Sequence, residues 1–280
     1  MAIDDINARY GRYLDAMTEA FKEHLSDVVK RAQVTVIARL QKDLTITDGI
    51  LDSVPGNLRL LRQFDDIFAQ AMDAAGYQHL VDAFIAQFPG QLRFMQEIIA
   101  DLNDSIKRKV IPTQLTSTTR DILNSFQVNA AQALETLVTR AGQLAMNKTL
   151  FAVGGLKFGK LVETISNTFN RSLAESTTLA NTSMSTFMRV AMKGQFEAAQ
   201  KGQDEQLRYE YSGPMDLLTR PFCQDMLTET AAGKSWTMDE IDQMDNDSDL
   251  PVSTCGGGYN CRHQFILDVQ ALTESEDQAA

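Results

Sequence analysis

The chain has 280 residues, 44% of them hydrophobic and 22% charged, a balance that excludes wholesale disorder and leaves room for one sizeable core or two modest ones. Its formal net charge is -11, and the acid is unevenly placed: residues 206–280 hold 4 Lys/Arg against 14 Asp/Glu, a formal -10, while residues 1–205 hold 22 against 23. Such a surface repels phosphate backbones, so strong nucleic-acid binding is not expected; no apolar run reaches membrane-span length, and three cysteines are an odd number for a secreted disulfide framework.

The opening stretch "MAIDDINARYGRY" has neither a basic n-region nor an apolar h-region, so no cleaved signal is expected and the thiols are expected to be reduced. From Leu58 to Ala75, the positions Leu61, Phe64, Phe68, Ala71, Met72 and Ala75 form one apolar stripe, and Gly76 stands where a left-handed residue would end the helix. A second helix is expected over "LVDAFIAQF", stopping at Pro89-Gly90, and a third over Leu92 to Leu102 with Phe94, Met95, Ile98 and Ile99 as its apolar side. Pro112 breaks the chain again. Ile122, Phe126, Leu134, Leu137, Val138, Ala141 and Leu144 then mark a helix of about 25 residues from a Thr/Asp-rich start to Asn147.

"FAVGGLKFGK" carries three glycines in a short run and reads as a turn. Two further helices are expected, Leu161 to Thr178 and Thr182 to Gln200, joined through "TTLANTS". These stripes read as core packing. His24 and His79 are isolated on helices and read as surface or core histidines, and no pattern in this half points to catalysis.

The composition changes near "KGQDEQLRYEYSGPMD". Tyr209 and Tyr211 alternate with charged residues as in a short strand, and Gly213-Pro214 makes a turn. Thr237 with Glu240 three residues on is a capping box, predicting a short helix over 238–244, and Trp236 before it reads as a core anchor. "DNDSD" lacks the glycine and the glutamate of a calcium loop. The expected architecture is mainly α: a long-helix docking or bundle region over residues 1–205, then a small acidic α+β domain with a few short strands over residues 206–280.

Chemistry concentrates in "TCGGGYNCRHQF". Cys261 and His263 are two apart, the spacing that puts both side chains on one face of a strand, and "HQFILDV" is strand-like. Cys223, Cys255, Cys261 and His263 together are a ligand set that tetrahedral zinc accepts, although no Cys-x2-Cys pair is present. Three readings stay open: a structural zinc site, buried thiols beside a backbone-bonded histidine, or a cysteine nucleophile drawn from Cys223 or Cys255 with His263 as base. Gly256, Gly257 and Gly258 read as a tight structural bend, because no Gly-Lys-Ser/Thr follows as in a phosphate loop.

The series "YSGPMDLLTRPFC", a Lys-aromatic-Thr with a short acidic helix, then "GGGYNCRH" and an apolar strand resembles the C-terminal domain of phage minor head proteins, the Mu F-like head morphogenesis proteins of tailed phages. The family pattern falls on Asp216, Thr219, Arg220, Cys223, Lys234, Cys261 and Arg262, and "LANTSMSTFMRVAMKGQF" resembles the family's preceding helix without its Thr-Glu pair. Where many members close with Cys-x-Cys, this chain has Cys261-x-His263. The resemblance covers roughly residues 175–270. It implies a virion component rather than an enzyme, with no catalytic residue and no cofactor beyond a candidate structural zinc. Such a component occurs in several copies at the portal vertex or the capsid interior after assembly in the host cytoplasm. The partners it implies are the portal protein, the major capsid protein or both, with no membrane. The alternative is a metal- or thiol-dependent hydrolase or nuclease, with Cys223, His263, Arg220 and Asp216 around a site.

Overall fold

The computed structural model describes residues 3–106, 110–150, 156–203 and 206–272. The protein is mainly α, 71% helical, with ten helices and two short antiparallel strand pairs among the described residues. No described helix is long and apolar enough to cross a membrane.

Helix α1 spans Ile3–Asp43 and buries Leu14, Phe21, Leu25, Val28, Ala32, Val36 and Leu40, a row at helical spacing. A hairpin of β1 (Ile46–Thr47) and β2 (Ile50–Leu51) follows, turned by Asp48 and Gly49, both at positive φ (50° and 75°). Two such residues make the turn whose twist matches paired strands, and Asp-Gly between β-branched residues is its sequence mark. Asn57 holds the hairpin's ends: its Oδ1 accepts from the Thr45 N–H, and its Nδ2 donates to the carbonyls of Thr45 and Asp52, each at 2.8 Å.

The single helix expected from Leu58 to Ala75 is two, α2 (Pro55–Arg62) and α3 (Phe64–Ala74). Gln63, at φ -99° and ψ 14°, closes one and opens the other. The break re-aims the stripe so that Leu61 and Phe64 are both fully buried, and Gly76 has the expected left-handed φ of 93°. Helix α4 is Tyr77–Ile85. Pro89-Gly90, expected to end a helix, instead lies in the first turn of α5 (Phe88–Ile106), where a proline has no N–H to lose and its fixed φ suits the helix. Helix α6 (Ser117–Leu150) is longer than expected, and the Thr116 hydroxyl accepts from the Thr119 N–H at 3.1 Å at its start. It buries Leu123, Ala130, Leu134, Val138, Ala141 and Ala145 on its apolar side, while Ile122 and Leu144 face solvent.

Residues 151–155, in the expected glycine-rich turn, lie outside the described residues. Beyond them, the two helices expected between Leu161 and Gln200 are one continuous α7, Phe158–Gln200. "TTLANTS" holds no glycine or proline, and hydroxyls in it and just beyond it do not compete for the turn: Thr177 Oγ1 donates to the Leu173 carbonyl (2.8 Å), and Ser185 Oγ, two residues past the segment, to that of Asn181 (3.0 Å), both one turn back along the helix.

Tertiary contacts divide the described chain into two compact units. One comprises residues 18–85 and 129–180; Phe68 stacks on Phe169 (4.6 Å between centroids), Phe21 meets Phe84 (5.1 Å), and the buried Tyr77 hydroxyl donates to the Leu134 carbonyl at 2.9 Å. The other comprises the chain up to Met17, residues 86–128 and everything from Asn181 on. There Phe88 packs edge-on against Phe187 (4.5 Å) and Tyr13 stacks on Phe94 (4.3 Å). Each buried phenylalanine contributes about 1.5–3 kcal/mol.

The expected boundary at 205/206 is therefore not where the contacts divide. Residues 206–272 fold onto the last turns of α7: Phe196 packs on Tyr209 (5.0 Å), and Lys193 bonds both Asp242 (2.8 Å) and Ser253 (3.0 Å). The reason is size. The only sheet there is β3 (Tyr209–Ser212) paired with β4 (Gln264–Leu267), and a two-stranded ribbon cannot bury its own apolar face. Around it stand α8 (Pro221–Ala231), α9 (Met238–Asp242) and α10 (Val252–Cys255).

Candidate functional site

The strands form where the tyrosine alternation and the apolar run place them, with Tyr211 opposite Phe265 and Ser212 opposite Gln264. Trp236 forms a two-way backbone bridge to Tyr209, with N–H···O distances of 2.7 and 2.8 Å, and its ring meets Phe265 edge-on at 6.1 Å. The capping box forms as expected: Thr237 accepts from the Glu240 N–H (3.3 Å) and Glu240 accepts from the Thr237 N–H (2.7 Å), starting α9, which ends at Asp242 rather than residue 244. Helix α8 begins at Pro221 and sets Cys223 in its first turn, facing inward.

Three of the four candidate ligands come together. The sulfurs of Cys223 and Cys261 are 3.8 Å apart, and Nδ1 of His263 lies 3.6 Å from the Cys261 sulfur. All three ligating atoms lie within 4.8 Å of one another, and all three residues are buried. Cys255 does not join them; its sulfur neighbours the hydroxyls of Thr186 (3.8 Å) and Thr254 (3.7 Å). The glycine bend explains the separation: Cys255 ends α10, and Gly256, at φ 57°, turns the chain back before Cys261.

Two further residues complete the site. Tyr211, from β3, brings its hydroxyl to 3.3 Å from the Cys223 sulfur and 3.6 Å from that of Cys261, and its ring lies parallel to His263 at 5.5 Å. Arg189, from α7 and only 3% exposed, donates from Nε to the His263 carbonyl at 2.8 Å and from Nη2 to the Cys261 carbonyl. Both were hidden by ordinary readings: Tyr211 as strand alternation, Arg189 as one residue in a Met/Phe stripe. An arginine flanked by Phe187, Met188 and Met192 was the available signal, since a cation on a buried face requires a partner.

Charge in the cluster is shared unequally. The hydrogen bond from Cys223 holds the Cys261 thiol far below its ordinary range, with help from the Arg189 guanidinium. The same bond, together with burial, pushes Cys223 up. Burial, then the neighbouring sulfur charges, pushes Tyr211 well up. The Gly257 N–H also points at the Cys261 sulfur, from 3.1 Å.

The surrounding motif residues pair among themselves. Asp216 accepts two bonds from Arg262 (2.6 and 2.7 Å), and this bond first, then the Leu218 N–H, holds its carboxyl below the usual range. Thr219 Oγ1 accepts from the Asp216 N–H (2.9 Å) and donates to the Pro214 carbonyl (3.0 Å). Arg220 donates to the carbonyls of Gly257 and Tyr259, on the glycine bend. Lys234 pairs with Glu229 (2.7 Å) and lies over the Trp236 ring (5.4 Å). Asn246, in "DNDSD", donates to the Gly256 carbonyl (2.5 Å) and accepts from Ser248, so that loop braces the bend. His24 and His79 are exposed on α1 and α4. No protein-family model, curated protein or solved structure matches this chain.

Proposed function

We propose that this protein is a minor head protein of a tailed bacteriophage: a structural component present in few copies near the portal or the inner capsid surface, acting in head morphogenesis and serving genome delivery. The observation that carries the reading is the convergence of the motif. Six of the seven motif residues, Asp216, Thr219, Arg220, Cys223, Cys261 and Arg262, spread over 47 positions, are joined by bonds to one another or to the glycine bend, while Lys234 stands apart, paired with Glu229. A series of residues that serves only to close a small domain onto a helix is what a structural family signature looks like in space.

Two features support contact rather than chemistry as the mode of action. The sulfurs and the imidazole belong to residues no more than 5% exposed, so a polymeric substrate has no path to a nucleophile there. By contrast, Met215, Leu217 and Leu218 project from the same motif segment into solvent, with Leu217 fully exposed, as side chains that meet a portal or capsid partner would. The hydrolase alternative needs the opposite distribution, with polar groups reachable and apolar ones covered.

The test is the composition of purified particles. Quantitative mass spectrometry is expected to find the protein at a small fraction of the major capsid protein, and particles lacking it altogether overturn the reading. In the same system, Cys261→Ser and His263→Ala are expected to lower the yield of infectious particles; normal yields from both would remove the knot's structural role.

A further inference from the structure

We propose that Cys223, Cys261, His263 and the hydroxyl oxygen of Tyr211 hold a single tetrahedral zinc ion, with Tyr211 in the corner that Cys255 does not fill. The site goes beyond the head-protein reading and stands whether or not that reading does.

Edge lengths point to a tetrahedron. With metal–sulfur bonds of about 2.3 Å and metal–nitrogen or metal–oxygen bonds of about 2.0 Å, its edges are about 3.8 Å between two sulfurs and about 3.5 Å between sulfur and a lighter donor. Four of the six edges match, with 3.8 Å between the sulfurs, 3.6 Å from the Cys261 sulfur to His263 Nδ1, and 3.3 and 3.6 Å from the Tyr211 oxygen to the two sulfurs, and Nδ1 lies within 4.8 Å of the Cys223 sulfur.

The imidazole is already oriented. His263 Nε2 lies 2.8 Å from the Pro214 carbonyl oxygen, which can only accept, so Nε2 carries the proton and the lone pair of Nδ1 is turned toward the sulfurs. A metal-bound histidine is held in the same way, by a carbonyl on its far nitrogen.

Charge and space agree. A dication with two thiolates and a phenolate carries one negative charge, and two guanidiniums stand near it: Arg189, buried with two carbonyls and, among the described residues, no carboxylate as partners, and Arg220, on the Gly257 carbonyl near Cys223. Their charge offsets that of the complex. Sulfur and imidazole donors select zinc over the hard cations that prefer oxygen. The two thiols and the phenol release their protons to solvent as the ion enters.

The experiment uses the full chain, purified without chelators. Elemental analysis is expected to find one zinc per chain. Cobalt(II) exchanged into the site is expected to show thiolate-to-cobalt charge transfer and the visible bands of a tetrahedral ion. Cys255→Ser keeps the metal; Cys223→Ser and His263→Ala weaken binding by about 10–100-fold or abolish it, and Tyr211→Phe alters the visible bands and weakens competition against a chromophoric chelator by about 10-fold or more. Wild-type protein that is folded by circular dichroism, yet carries no zinc and gives no thiolate–cobalt spectrum, overturns the site without any variant. So does a Cys223–Cys261 disulfide in protein kept under reducing conditions. An unchanged spectrum and affinity in Tyr211→Phe overturn the fourth ligand.

Discussion

Gly257 shows how narrowly single residues are constrained here. A Cβ built on its backbone would collide with the Cys223 sulfur and stand 3.7 Å from that of Cys261, so any side chain at this position takes the space the sulfurs use. Gly257→Ala is expected to destabilise the protein by about 1–3 kcal/mol, the ordinary cost of overpacking, read as a lower urea midpoint with unchanged slope. The bend itself was legible, since three successive glycines announce a sharp turn, but its purpose was not. Sequence shows that the backbone must come close to something; only the fold shows that the something is a sulfur 34 positions earlier. Tyr211 and Cys255 teach the same lesson from opposite sides. A phenol read as strand alternation stands at the cluster, while a thiol six residues before Cys261 faces threonine hydroxyls.

At the level of elements, local patterns were good guides to what forms and poor guides to where it stops. The capping box, both strands of the β3–β4 pair and the stripe from Leu61 to Met72 were all readable, because each rests on side chains a few positions apart. The break at Gln63 and the unbroken course of α7 were not, because both are decided by what each segment packs against. The Asp48-Gly49 hairpin has a turn signal but strands only two residues long, too short for an alternation to stand out. Continuity of α7 has a direct test. Backbone amides from residue 177 to 184 are expected to exchange slowly with solvent deuterium, as interior helix amides do, whereas a turn there would exchange at once. Asn181→Pro removes one of those bonds and clashes with the preceding turn, at an expected cost of about 3 kcal/mol or more.

For the molecule as a whole, the sequence conveyed class and charge but not partition. A mainly helical chain with a small mixed region was expected and is present. The division into units, however, falls at residues 17/18, 128/129 and 180/181, inside the long helices α1, α6 and α7 where composition does not change, and at 85/86, where α4 ends. Charge does act at this scale. With a formal net charge of -11, the protein is expected to show no binding to a labelled DNA duplex at about 0.15 M salt and micromolar protein, measured by fluorescence anisotropy, because it has few counterions to release from phosphates. Tight binding that falls steeply with added salt would reveal a concentrated basic face that the overall count hides.

The knot also has a chronology. Ribosomes make the chain from its amino end, so Arg189, Tyr211 and Cys223 emerge early and wait for Cys261 and His263. A nascent or prematurely released chain that stops short of residue 261 owns one thiol of the pair and no imidazole, and its ribbon lacks β4 altogether. Locking thus waits until both strands of the ribbon have been made, and truncated products are left with the apolar side of β3 uncovered and open to proteolytic clearance.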